Sequence, residues 1–81
     1  MSMLTVQLFA SYAELFGGPI LQVPLETGGT VADLVQSIRS MPAGRSLPAT
    51  PRVAVNRKFA PPTQILNNGD EIAVVPPVAG G

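Results

Sequence analysis

The sequence predicts a single α+β domain in which one amphipathic helix lies across a mixed β-sheet. Three observations carry that expectation: an alternating strand near the start, a capped helix in the middle, and a final strand apolar at Ile72, Ala73, Val74 and Val75. The chain has 81 residues, enough for one small core and too few for a second domain.

From Leu4 to Ala10 the residues alternate, with Leu4, Val6 and Leu8 on one face and Thr5, Gln7 and Phe9 on the other, the period of a half-buried strand. Phe9 is out of place on the polar side, where it either covers the flank of the sheet or belongs to an exposed docking patch. Ser11 precedes a short helical turn, Tyr12 to Phe16, which Gly17-Gly18-Pro19 ends. Ile20 to Leu25 reads as a second strand, and Pro24, lacking a backbone donor, suits an edge position. Thr30 and Asp33 have the spacing of a capping box. Behind them Val31, Leu34, Val35, Ile38 and Met41 fall on one helical face, with Asp33, Gln36, Arg39 and Ser40 opposite.

Pro42, Gly44 and Pro48 then forbid helix through a loop ending near Pro51. Arg52 to Asn56 forms a short strand with Val53 and Val55 buried, Asn56-Arg57-Lys58 a turn, and Pro61-Pro62 an extended piece. Ile65 and Leu66 plug the core ahead of a turn at Asn67-Asn68-Gly69-Asp70. The last strand, Glu71 to Val75, is apolar at consecutive positions, which predicts burial on both faces and a central place parallel to the first strand. The order strand, strand, helix, strand, strand, with first and last strands central and parallel and one main helix across the sheet, is the β-grasp plan. It spans residues 1–76 and leaves 77–81 as a flexible C-terminal Gly-Gly tail.

Composition narrows the function. Five basic and five acidic side chains cancel, which removes the electrostatic footprint of a nucleic-acid binder. With no cysteine and no histidine there is no disulfide, no thiolate nucleophile and no persulfide route for carrying sulfur on a side chain. The five carboxylates, Glu14, Glu26, Asp33, Asp70 and Glu71, read mostly as turn or helix-surface groups, and the adjacent pair Asp70 and Glu71 point to opposite faces of a strand. No metal-ligand cluster or phosphate-binding loop is expected, nor any independent active site. The absence of a long apolar run and of a leader-like start gives cytoplasmic residence as the default expectation.

Chemistry is instead expected at the end of the chain, Val75-Pro76-Pro77-Val78-Ala79-Gly80-Gly81. Two residues without a β-carbon let an enzyme draw this end into a narrow site and work on the Gly81 carboxylate. Pro76 and Pro77 stiffen its departure from the strand. The last five residues reach at most roughly 17 Å when extended. Val75, Pro76, Pro77, Val78 and Ala79, with Phe9, are the candidate partner-binding residues.

The runs Val53-Ala54-Val55-Asn56, Gly69-Asp70-Glu71-Ile72 and above all Pro76-Pro77-Val78-Ala79-Gly80-Gly81, with Leu66, Leu8-Phe9-Ala10 and Glu14-Leu15, resemble the MoaD-like branch of the ubiquitin-like sulfur carriers, the small subunits of molybdopterin synthase. The double-proline tail is the specific part of the likeness, which spans nearly the whole chain. The resemblance implies a non-catalytic carrier whose Gly81 carboxylate is adenylated by an E1-like, MoeB-like enzyme that uses ATP, and is then converted to a thiocarboxylate with sulfur from a sulfurtransferase. The large, MoaE-like synthase subunit would take that sulfur to build the molybdopterin dithiolene. No cofactor bound by this chain is implied, nor any metal, nucleic-acid or membrane partner.

Two positions depart from the pattern: Ala13 stands where many members have arginine, and Asn68 where aspartate is frequent. The alternatives are a thiamine-pathway sulfur carrier, whose chains are usually shorter and lack the Pro-Pro-Val approach, a ubiquitin-like protein modifier, and a binding module with a passive tail.

Overall fold

The computed structural model describes residues 2–48 and 51–76. The elements run β1 (Ser2–Leu8), α1 (Ala10–Phe16), β2 (Ile20–Leu25), α2 (Val31–Arg39), β3 (Arg52–Val55), β4 (Lys58–Phe59) and β5 (Ile72–Val75), with a 3-10 turn at Pro42–Ser46. The five strands form one sheet in the order β2-β1-β5-β3-β4. β1 and β5 are interior and parallel, with Val6 opposite Ile72 and Leu8 opposite Val74, while the other pairings are antiparallel. The expected β-grasp architecture is therefore present, and Pro24 sits on the edge strand β2.

One face of the sheet is covered. Leu4, Val6 and Leu8 of β1, Val23 and Leu25 of β2, Val53 and Val55 of β3, and Ile72 and Val74 of β5 meet Val31, Leu34 and Ile38 of α2 in a continuous core that also takes in Tyr12, Leu47 and Leu66. Every second strand residue thus points at the helix, as the period of a strand requires.

The start of α2 accounts for all of its free amides. Asp33 N–H donates to the Thr30 hydroxyl at 3.3 Å, and Thr30 N–H donates to Asp33 Oδ2 at 3.0 Å, a complete capping box. Val31 and Ala32 N–H donate to the carbonyls of Gln64 and Pro62, at 2.9 and 3.0 Å. The segment after β4 is therefore held against the helix by the donors that helix geometry leaves over.

Several local expectations are corrected. The first strand stops at Leu8, and α1 starts at Ala10 instead of Tyr12, because the Phe9 carbonyl already accepts from Tyr12 N–H at 3.0 Å and the turn sinks Tyr12 into the core. Pro42 does not forbid helical geometry: proline suits the first position of a turn, and Pro42–Ser46 coil into a 3-10 helix. Gly44 is there for lack of a side chain, since a β-carbon would overlap the Ile38 carbonyl. The turn after β3 is shorter than expected. Asn56 and Arg57, at φ 53° and 71°, make a two-residue hairpin loop, and Lys58 already belongs to β4.

Two apolar positions also differ. Leu66 enters the core, but Ile65 is 55% exposed, because its backbone bridges Thr30 and turns the side chain outward. In β5, Ile72 and Val74 are fully buried while Ala73 and Val75 are only half-buried. The apolar run made β5 central, as expected, but among the described residues no helix or strand covers its second face.

Candidate functional site

The candidate site is the end of the sheet at which β5 finishes. Val75, half-buried, lies opposite Arg52 of β3, and the parallel register ends with Leu8 against Val74, one residue before Phe9 and Val75 respectively. Phe9 is in extended geometry (φ −123°, ψ 152°), caps α1 without a side-chain hydrogen bond, and is 47% exposed. Pro76, half-buried, is the last described residue. The other expected site residues, Pro77, Val78, Ala79, Gly80 and Gly81, lie outside the described residues.

Sequence reading missed the open face that leads to this end. Ile20, Gln7, Ala73, Ala54 and Phe59 stand in register across all five strands and form one row on the face away from α2. Ile20 and Phe59 are 51% and 62% exposed. The Arg52 guanidinium stacks over the Phe59 ring at 4.8 Å, joining this row to the Val75 end. Ile20 was detectable, since it falls out of phase with Val23 and Leu25. Phe59 was not, because a two-residue strand shows no alternation.

The opposite end of β5 is fastened by side chains. Asn56 Nδ2 donates to Asp70 Oδ1 at 3.1 Å, Glu71 N–H donates to Asn56 Oδ1 at 3.0 Å, and Asn67 N–H donates to Asp70 Oδ2 at 2.8 Å. These bonds link the 56–57 hairpin to the 67–70 turn. The motifs Val55-Asn56 and Gly69-Asp70-Glu71, separate in sequence, thus form one structural clasp. Arg57 lies 3.5 Å from Glu71, so this arginine has a partner within its own chain, in an exposed pair that contributes little to stability. Ala13 packs against the core edge.

Among the described residues no group of three His, Cys, Asp or Glu side chains is arranged to hold a metal ion, and no helix is long and apolar enough to cross a membrane. What the described residues offer chemically is a rigid strand delivering an apolar exit.

Such a domain, with a parallel central pair, one main helix and a last strand running toward a diglycine, falls in the ubiquitin-like β-grasp class. The ThiS family pattern matches residues 6–81, and the chain belongs to that family. It is 30% identical over 77 residues to the molybdopterin synthase sulfur carrier subunit of Arabidopsis thaliana, covering 94% of this chain and 80% of the relative. The protein of the same description from Mycobacterium tuberculosis is 36% identical over 64 residues, covering 78% and 77% respectively. Among solved structures, SAMP1 from Haloferax volcanii superposes with a TM-score of 0.83 at 29% identity, covering 99% of this chain and 100% of that one. The resemblance read from the tail and turns is borne out.

Proposed function

We propose that this chain is a sulfur carrier in molybdenum cofactor biosynthesis and that its working atom is the carbonyl carbon of Gly81. The observation that carries the reading is that the family match extends through residue 81, so the diglycine belongs to the matched region, and that two relatives matched over most of their length are described as sulfur carrier subunits.

The chemistry follows from the carboxylate. A carboxylate resists nucleophiles, so a partner first converts it to an acyl-adenylate with ATP, releasing pyrophosphate. A sulfur nucleophile then attacks the carbonyl carbon and displaces AMP. This chain has no cysteine, so that sulfur comes from another protein, a sulfurtransferase acting with the E1-like (MoeB-like) activating enzyme. The resulting thiocarboxylate is itself nucleophilic. It is delivered into the large, MoaE-like subunit, where its sulfur attacks the pterin precursor and water then cleaves the acyl–sulfur bond, leaving sulfur on the precursor and regenerating the Gly81 carboxylate.

The chain's own part is presentation. β5 anchors the tail in the middle of the sheet, Gly80 and Gly81 keep it thin, and Val75 to Ala79 with Phe9 dock the partner at little loss of side-chain freedom. Phe59 and Ile20 extend that docking surface across the open face.

The test is to delete Gly81, or append one residue after it, and assay sulfur transfer in the reconstituted system. Loss of transfer with an unchanged unfolding midpoint is expected, and full activity of the extended chain would refute the role of a free Gly81 carboxylate. The likeness to SAMP1, a small archaeal modifier protein by description, favours a second reading in which the same activated carboxylate forms an isopeptide with lysine. Stable conjugates of this chain to other proteins in its native cell would support that reading.

A further inference from the structure

The chain has three asparagines, and the structure treats them differently. Asn56 is held by its side chain, as described above, and its amide N–H donates to the Glu71 carbonyl at 2.7 Å. Asn67 is tied to Asp70 in both directions: its N–H donates to Asp70 Oδ2, and its carbonyl accepts from Asp70 N–H at 3.1 Å. Asn68 is exposed, and no side-chain hydrogen bond restrains it among the described residues. The residue that follows it is Gly69, also exposed and at φ 86°, with nothing within 4 Å of where a β-carbon would stand. No hydrogen bond among the described residues engages the Gly69 N–H.

We propose that Asn68 is a site of spontaneous deamidation through a succinimide, a covalent modification that the turn permits at this asparagine alone. The Gly69 amide nitrogen attacks Asn68 Cγ and closes a five-membered ring. The bond from Cγ to the side-chain nitrogen breaks, and that nitrogen leaves as ammonia, taking up the proton lost from Gly69 N–H. Water then opens the ring at one of its two carbonyls, giving aspartate or isoaspartate at position 68. Water is the sole co-reactant, and nothing is oxidised or reduced. Glycine matters because its nitrogen approaches without a neighbouring β-carbon in the way.

The two products differ in consequence. Aspartate adds a charge to an exposed turn and keeps its backbone. Isoaspartate reroutes the main chain through the side chain and inserts a methylene between Asn67 and Asp70. The Asp70 carboxylate then no longer reaches Asn67 N–H and Asn56 Nδ2 together, and the clasp at the Glu71 end of β5 opens.

The experiment is to incubate the full, folded chain in mildly alkaline buffer, digest it, and read the peptides by mass spectrometry. Isoaspartyl O-methyltransferase with S-adenosylmethionine serves as the probe for isoaspartate. Conversion at Asn68 is expected to run at least about tenfold faster than at Asn67 or Asn56, the ratio set by a barrier difference of about 1.4 kcal/mol. Asn68→Ser should abolish the methyl acceptor. In the modified fraction the Glu71 amide should exchange its hydrogen faster. Comparable rates at Asn67 and Asn68, or a folded chain unchanged at 68 while the urea-unfolded chain converts, would overturn the proposal.

Discussion

The two ends of β5 are built on opposite plans although only a few residues separate them. At the Glu71 end, hydrogen bonds among Asn56, Asn67, Asp70 and Glu71 tie two turns together. At the Val75 end the neighbours are a half-exposed Phe9 and an arginine stacked on Phe59, with no side-chain hydrogen bond among the described residues. Polar links fix the first end, so the strand cannot slide. Apolar surface at the second is left open by the described residues, with Phe9 47% exposed and Phe59 62% exposed. A strand clasped at one end and free to be gripped at the other is a suitable mount for a reactive terminus.

If this division holds, substitutions at the exit end should remove activity without stability, and substitutions at the clasped end the reverse. The largest effect on activity short of removing Gly81 is expected for Gly80→Val. On the proposed mechanism a β-branched side chain widens the tail at the point that enters the activating enzyme, so ATP–pyrophosphate exchange with that enzyme should fall steeply while the thermal midpoint stays fixed. Undiminished exchange would show that the tail need not be thin.

The largest effect on stability belongs to the middle of the strand. Ile72 is fully buried, so Ile72→Ala should lose about 2–5 kcal/mol in denaturant unfolding. At the clasp, Asp70→Ala removes acceptors for Asn67 N–H and Asn56 Nδ2 and should lower stability by roughly 1–2 kcal/mol, with sulfur transfer per folded molecule retained. A large loss of transfer in that variant would mean that the clasp also serves the partner.

The smallest change in stability is expected for Phe9→Ala, about 1 kcal/mol or less, because the side chain is already half-exposed. Its partner affinity, measured by calorimetry against the large synthase subunit, should nonetheless fall. An unaltered affinity would remove Phe9 from the docking surface.

Much of this division was legible in the sequence, and what was hidden has a physical cause. The alternation of Leu4, Val6 and Leu8, the Thr30 and Asp33 capping pair and the apolar face of α2 are local patterns, and each appears where expected. The apolar run in β5 correctly gave a central strand. It overstated burial, because a run cannot say whether a second layer covers the other face. The exposure of Ile65, the two-residue strand at Lys58–Phe59 and the clasp from Asn56 to Asp70 depend on partners far along the chain. The 3-10 turn was hidden because Pro42 and Gly44 were read only as helix breakers, whereas one starts the turn and the other makes room for Ile38. Of the expected docking residues, Val75 and Pro76 fall at the end of β5 and Phe9 directly after β1, while the row from Ile20 to Phe59 emerges only once the strands are placed in register.

The central claim is most directly tested by the mass of the peptide that ends in Gly81, taken from protein purified from its native cell. The account predicts a fraction in which one oxygen of the terminal carboxylate is replaced by sulfur and which disappears when the activating enzyme is deleted. Finding that peptide only as an unmodified carboxylate, in cells actively making the cofactor, would contradict it.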